Sequence, residues 1–337
     1  MRLPCPSVYK LFTLAVLAGL VFTFSGCGSA CKDDVDLSDV HTDLKIIRFD
    51  KELRAAQNKG EVKAALLKYP VFMQRFLAGG DPSVSADTLA AEMDKLRTDR
   101  YIDTMYHDTE RIFGDAKQLQ SDLLNAFQHV NYYFPQDKAP EIYFAVSGFS
   151  TDIFINEQIA VVGLESFLGS KGHYRIPNTP EYIASRMRPE TVVNGMMLAL
   201  SNRYNRADLL DNSLIAQMVH WGKAYYFMKK MQPCVPDSLI IGYTAAQMKS
   251  CESQLPKIYG YFVDKSLFYE TNHIEVNRYI GERPYTLEIS DKCPGRIGRY
   301  LGWKIVQQYM EEQKLSIPEL MQERDAKKIF AQSKFKP

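Results

Sequence analysis

The six histidines are the first residues to weigh for chemistry: His41, His107, His129, His173, His220 and His273. A zinc hydrolase built on H-E-x-x-H sets two imidazoles one helical turn apart, places a glutamate base between them, and takes its third ligand from a later helix. No histidine here has another four residues on, and none is followed by glutamate. Zinc hydrolysis of that kind is therefore excluded on sequence, and no metal or cofactor is expected. The signatures G-x-S-x-G, G-x-x-x-x-G-K-[ST] and G-x-G-x-x-G are missing as well. The polar feature that remains is His220 with Lys223, one turn apart in the run LIAQMVHWGKAYYFMKKM over 214–231. As candidate cleft residues they would form a binding or acid–base pair. Their apolar surroundings favour a different reading: a core histidine with one hydrogen-bond partner and a lysine reaching outward.

The run that holds them is apolar on two sides of a helix. Ile215, Val219, Gly222 and Tyr226 form one row, and Leu214, Met218, Trp221, Tyr225 and Met228 form the next. A helix this apolar lies inside a domain, and the spacing predicts that the rest of the fold packs around it. Near the C-terminus, Gly298, Gly302 and Val306 are spaced four apart in a helix predicted over 296–312. Glycine inside a helix costs about 1 kcal/mol relative to alanine, so these glycines need a reason. Close crossing of two backbones supplies one. The pattern predicts that this helix crosses the central one near Gly222, with Trp303 beside the crossing.

The remaining elements read as α+β, mostly helical, with one small antiparallel sheet. A short strand-like run at 44–49 leads to Asp50 as an expected N-cap. Amphipathic helices are predicted through 101–113 and 117–133, after shorter ones, the third of which starts at Asp81. Strands are expected at 141–147, 152–155 and 158–162, the last at an edge. Helices resume from Pro180, with one at 244–269 read as one long or two abutting helices and a last piece at 317–330. The order of strand, turn, strand, edge strand and helix resembles the gluzincin-type zinc peptidases, whose next helix bears H-E-x-x-H. The corresponding helix here, 189–204, has Glu190 and no histidine, so the arrangement is peptidase-like without zinc ligands.

With 337 residues, 46% of them hydrophobic, the chain can bury a full core. The 41 basic and 40 acidic side chains nearly cancel, so no basic field recruits nucleic acid. The N-terminus reads as an address. Arg2 and Lys10 precede an apolar run of about 14 residues over 11–24, the length of a signal-peptide core rather than a membrane span. Phe24-Ser25-Gly26-Cys27 then resembles a bacterial lipobox, with Phe24 where leucine is usual, and Cys27 as the residue that is acylated with palmitate-class chains. Cys31 after Ser29-Ala30 is a weaker candidate. Cleavage before Cys27 would remove Arg2 and Lys10, leaving 39 basic residues against 40 acidic. The division expected is a lipoprotein signal peptide over 1–26, an acylated tether over 27–43 and a single domain over 44–337. An envelope compartment permits disulfides, but pairing among Cys31, Cys234, Cys251 and Cys293 cannot be read from spacing.

Several short motifs recur in an order that resembles the GldB family, the gliding-motility-associated lipoproteins of Bacteroidetes. They are Arg48-Phe49-Asp50, Val146-Ser147-Gly148-Phe149, Gly222-Lys223 and Gly242-Tyr243-Thr244. Pro294-Gly295-Arg296-Ile297-Gly298, Gly302-Trp303-Lys304-Ile305-Val306 and the closing Ser333-Lys334-Phe335-Lys336-Pro337 complete the set. The resemblance implies an outer-membrane-associated lipoprotein of the gliding machinery with no established catalytic activity, distantly similar to zinc proteases that keep H-E-x-x-H. The expected function is a non-enzymatic envelope lipoprotein that meets the membrane through its N-terminal lipid and binds envelope proteins of a surface or secretion assembly. The alternative is a divergent hydrolase or peptide-binding protein that uses a degenerate peptidase-like cleft.

Overall fold

In the computed structural model the described residues are 35–337. The expected signal peptide, Cys27 and Cys31 fall outside them. The chain divides into Met1–Val35 and Asp36–Pro337. The second unit holds a sheet of four strands: β1 (Ile46–Ile47), β2 (Glu141–Ala145), β3 (Ile153–Ile155) and β4 (Ile159–Gly163), in the order β1-β2-β4-β3. β1 is parallel to β2 and β2 is parallel to β4, while β3 returns antiparallel onto β4.

The sheet is thus mixed, not antiparallel throughout, and burial explains why. Ile142, Phe144, Ala160 and Val162 face a large core, and Tyr143, Ala145, Ile159 and Val161 face a smaller one. Strands covered on both faces read as unbroken apolar runs, the mark of a parallel centre. The turn after β2 suggested a hairpin, but β4 inserts between β2 and β3. The edge strands are therefore β1 and β3, and the 158–162 run lies inside the sheet.

Helices cover both faces. α1 (Phe49–Ala55), α2 (Lys59–Leu67), α3 (Pro70–Phe72, continued as a π-helical turn) and α4 (Ala86–Arg97) close the smaller core. Phe72 stacks on Tyr143 of β2 with ring centroids 4.4 Å apart. Asp50 does not cap α1. It lies inside that helix, buried, and accepts two bonds from the Arg48 guanidinium at 2.8 and 2.7 Å, a pairing favoured by the matched fork geometry. α4 starts at its cap Ser85 rather than at Asp81. α5 (Arg100–Phe113) and α6 (Lys117–Tyr133) follow as the periodicity predicts.

After the sheet come α7 (Glu181–Ala184), α8 (Val192–Ser201), α9 (Leu214–Met231) and α10 (Asp237–Ile241). The 244–269 stretch breaks into α11 (Ala245–Ser253) and α12 (Leu255–Asp264). Pro256 forces the break, because proline has no N–H to give a helix interior but fits a first turn. α13 (His273–Ile280), α14 (Ile297–Gln313), α15 (Ile317–Gln322) and α16 (Ala326–Ser333) complete the chain. The last two are separate because Asp325 accepts from Lys328 N and starts a new helix.

α9 and α14 cross at the centre of the large core. A Cβ on Gly222 would lie 2.4 Å from the Gly302 oxygen, and one on Gly302 would lie 1.9 Å from the Met218 oxygen. Trp303, wholly buried, meets Tyr225 with ring centroids 5.7 Å apart. The crossing is the one the glycine spacing predicts. Gly298 belongs elsewhere: its α-carbon faces Ile280 and the Tyr279 oxygen of α13. Among the described residues no helix is long and apolar enough to cross a membrane.

Candidate functional site

A cleft of about 660 Å³ opens between the edge strand β3, α8, α9 and the first turn of α14. α9 brings His220, Trp221 and Tyr225 to it, α8 brings Asn194 and Leu198, and β3 brings Ile153. α8 can lie close to β3 because Gly195 has no side chain: a Cβ there would sit 2.6 Å from the Ile153 methyl.

The two sequence candidates part company here. His220 does line the cleft, half-buried, its ring edge-on to Trp221 at 6.3 Å. Burial, with a smaller contribution from the charge of Lys223, pushes its pKa below the ordinary imidazole value, so the ring is neutral at physiological pH. Lys223 neither joins it nor reaches outward. It is 1% exposed and donates to three backbone carbonyls: Arg206 at 2.7 Å, Met321 at 3.2 Å and Glu323 at 2.7 Å. An ammonium has three donors, and all three are engaged. Lys223 is a strut that fastens α9 to two distant segments. Those segments also meet directly, since Arg206 N donates to the Met321 oxygen.

The charge of the cleft comes from residues that the sequence did not mark as candidates. Arg186, Arg296 and Arg299 surround a single carboxylate, Glu282, at 2.6, 3.6 and 3.3 Å. Arg296 and Arg299 are each 7% exposed. Arg296 donates to the Ile241 and Gly242 oxygens, and Arg299 donates from Nε to the Ile280 oxygen at 2.6 Å. The Arg299 guanidinium lies 3.7 Å over the Trp221 ring, a cation–π contact. Burial works against ionised Glu282, but Arg296, then Arg186 and Arg299, hold its carboxyl below the usual range. Burial and the Arg296 charge weaken Arg186's grip on its proton. The other acid lining the cleft, Asp152, accepts from Ile153 N. Asn194 donates to the Leu239 oxygen at 2.8 Å while its own Oδ1 is buried with no partner among the described residues.

The motifs converge on this end of the cleft. Tyr243 donates its hydroxyl hydrogen to the Gly295 oxygen at 2.7 Å, so the 242–244 and 294–298 motifs clamp each other and aim Arg296. One sequence signal marks the site: Arg296 and Arg299 flank the start of α14, and no acid lies in its first turn. Cations are disfavoured there by the helix dipole, so their presence points to an anion.

Away from the cleft, two buried carboxylates hold loops. Glu165 accepts from Ser147 N, Ser147 Oγ and Phe149 N, which gives the 146–149 motif its shape, and burial pushes its carboxyl up. Asp108 accepts from His173 N and Nδ1 at 2.6 and 2.8 Å, and from Arg111. Burial raises its carboxyl, but those bonds prevail and hold it below the usual range. Cys234 is disulfide-bonded, whereas Cys251 and Cys293 are free, with burial pushing both thiols up to about 12. Among the described residues no three histidine, cysteine or acidic side chains converge to hold a metal.

The family model described as gliding motility protein GldB matches residues 30–337. The chain belongs to that family. No curated protein and no solved structure matches it.

Proposed function

We propose, from membership of the GldB family, that the protein is an envelope lipoprotein of a gliding-motility or cell-surface assembly. In this reading it holds a protein partner in the cleft beside β3 and performs no catalysis. The observation that carries the reading is the chemistry of the cleft's charged end. Three guanidiniums dominate it, and such groups stay protonated at any physiological pH and serve recognition rather than proton transfer. Among the described residues His220 is the one imidazole lining the cleft. Its titrating neighbour Lys223 has all three donors spent on carbonyls, so the two do not share acid–base work. The family's lipoprotein character and the lipobox support attachment to the outer membrane through Cys27.

Crosslinking in native membranes, followed by purification of the full chain, should recover specific envelope proteins. Recovery of abundant bystanders alone would count against the reading. Cys27→Ala should abolish lipid labelling and release the protein from the membrane fraction; retained labelling would move the acylation site to Cys31. The hydrolase alternative keeps one supporting observation, the placement of His220 in the cleft. Stoichiometric zinc in the purified protein would favour it.

A further inference from the structure

We propose that the arginine end of the cleft binds the free α-carboxylate of a partner polypeptide, whose last residues lie along β3. This rests on the reading that the cleft holds a protein partner, and it names the feature recognised. Three guanidiniums share one carboxylate there, and with Asp152 as the cleft's other acid positive charge is still in excess by one in a largely buried place. Buried charge without a partner is costly, and an incoming anion relieves that cost. The forks are already fixed. Arg299 is held by the Ile280 oxygen and the Trp221 face, and Arg296 by two loop carbonyls. Arg186, with its side chain 22% exposed, is reachable from the cleft. Guanidinium forks match a planar carboxylate in two parallel bonds.

The same cleft asks for a donor as well as an acceptor. Asn194 Oδ1 is buried with no partner among the described residues, and an unmatched buried acceptor requires an N–H. β3 is a sheet edge, and apart from Ile153 N, which donates to Asp152 Oδ1, its outward N–H and C=O groups suit pairing with an extended chain. Leu198, Met228 and Ile153 give the wall an apolar surface for side chains. A free phosphate offers hydroxyl donors but no extended backbone to pair with β3. A chain terminus offers both a carboxylate and amide N–H groups, the partners that the arginines, Asn194 and β3 of this cleft lack.

The test uses full-length protein in detergent, immobilised, and pooled random octapeptides made once with a free carboxyl end and once amidated. Mass spectrometry identifies what is retained, and selected peptides are titrated by tryptophan emission, since Trp221 lies under Arg299 while Trp303 is wholly buried. Free-acid peptides should bind and their amides should bind at least about tenfold more weakly, as loss of a charge-assisted pair implies. Arg186→Gln should weaken free-acid binding by about tenfold with its melting midpoint within a few degrees of the parent. Arg299→Lys, which keeps the charge but loses the fork, should weaken it too. Equal retention of both pools, retention of neither, unaltered binding by Arg186→Gln, or displacement by inorganic phosphate at concentrations below those of the peptide would overturn the proposal. If crosslinked partners are recovered equally with Arg186→Gln, partner binding stands and the carboxylate site falls. If peptides bind with that selectivity but no partner is recovered, the carboxylate site stands and the envelope assembly falls.

Discussion

Gly302→Ala is expected to lower the stability of the folded unit by about 3 kcal/mol, and Gly302→Leu by more. In an isolated helix the first exchange would help, since alanine is better than glycine by about 1 kcal/mol. Packing reverses the sign. The new Cβ would stand 1.9 Å from the Met218 oxygen, 2.4 Å from its carbonyl carbon and 2.9 Å from its Cα. All three are backbone atoms of α9, so no rotamer change makes room and the helices must separate. Separation also loosens Trp303 and moves Trp221, which borders the cleft. Gly260→Ala is the control: on α12 nothing lies within 4 Å of the added atom, so propensity alone acts and the protein should gain up to about 1 kcal/mol. Denaturation midpoints read both, at roughly 2–4 °C per kcal/mol for a large domain. An unchanged midpoint for Gly302→Ala would mean that α9 and α14 do not cross there.

That crossing was legible in the sequence because one chemical fact, the absence of side chains at Gly222 and Gly302, has one structural use in an apolar helix. Gly298 shares the spacing yet faces α13, so spacing identified a close-approach surface and not every partner on it. The α+β class was legible from periodicity. Strand order was not, because the turn after β2 says nothing about which strand will lie beside it; the apolar runs of β2 and β4 were the better guide. Helix ends followed caps and proline, as at Ser85 and Pro256, more closely than hydrophobic spacing did. The candidate site was hidden for a different reason. Arg186 and Glu282 come from parts of the chain separate from Arg296 and Arg299, and no local spacing joins the four. The one local clue, two cations at the start of α14, runs against the dipole rule and is visible only when that rule is applied to each helix end. Lys223 misled because a lysine on an apolar helix usually snorkels to water. Its acceptors are main-chain oxygens of residues 206, 321 and 323, which side-chain patterns do not encode.

Lys223→Met is expected to cost about 3 kcal/mol at pH 7, because it keeps the aliphatic volume but leaves three carbonyls without their donor. Hydrogen exchange should rise at 204–208 and 321–324, the segments the ammonium joins. The cost should also depend on pH, in a definite direction. Burial, opposed by the charge of Glu323, brings the Lys223 pKa down to about 8 from 10.5. Below pH 8 the folded and unfolded chains both hold the proton, and pH has no effect through this residue. Between pH 8 and 10.5 the unfolded chain still binds a proton that the folded chain has released, so folding becomes more favourable as pH rises. The gain is complete above pH 10.5, is lost as pH falls through 8, and amounts to about 3 kcal/mol for a shift of this size. The groups coupled to Lys223, His220 and Glu323, titrate below this pH range, and the remaining titrating groups are common to the protein and its Lys223→Met variant and cancel in their difference. Urea denaturation of both at pH 7, 8.5 and 10 should therefore show the variant's deficit widening with pH. A constant deficit would mean that Lys223 keeps an ordinary pKa, its three carbonyl acceptors having compensated fully for its burial.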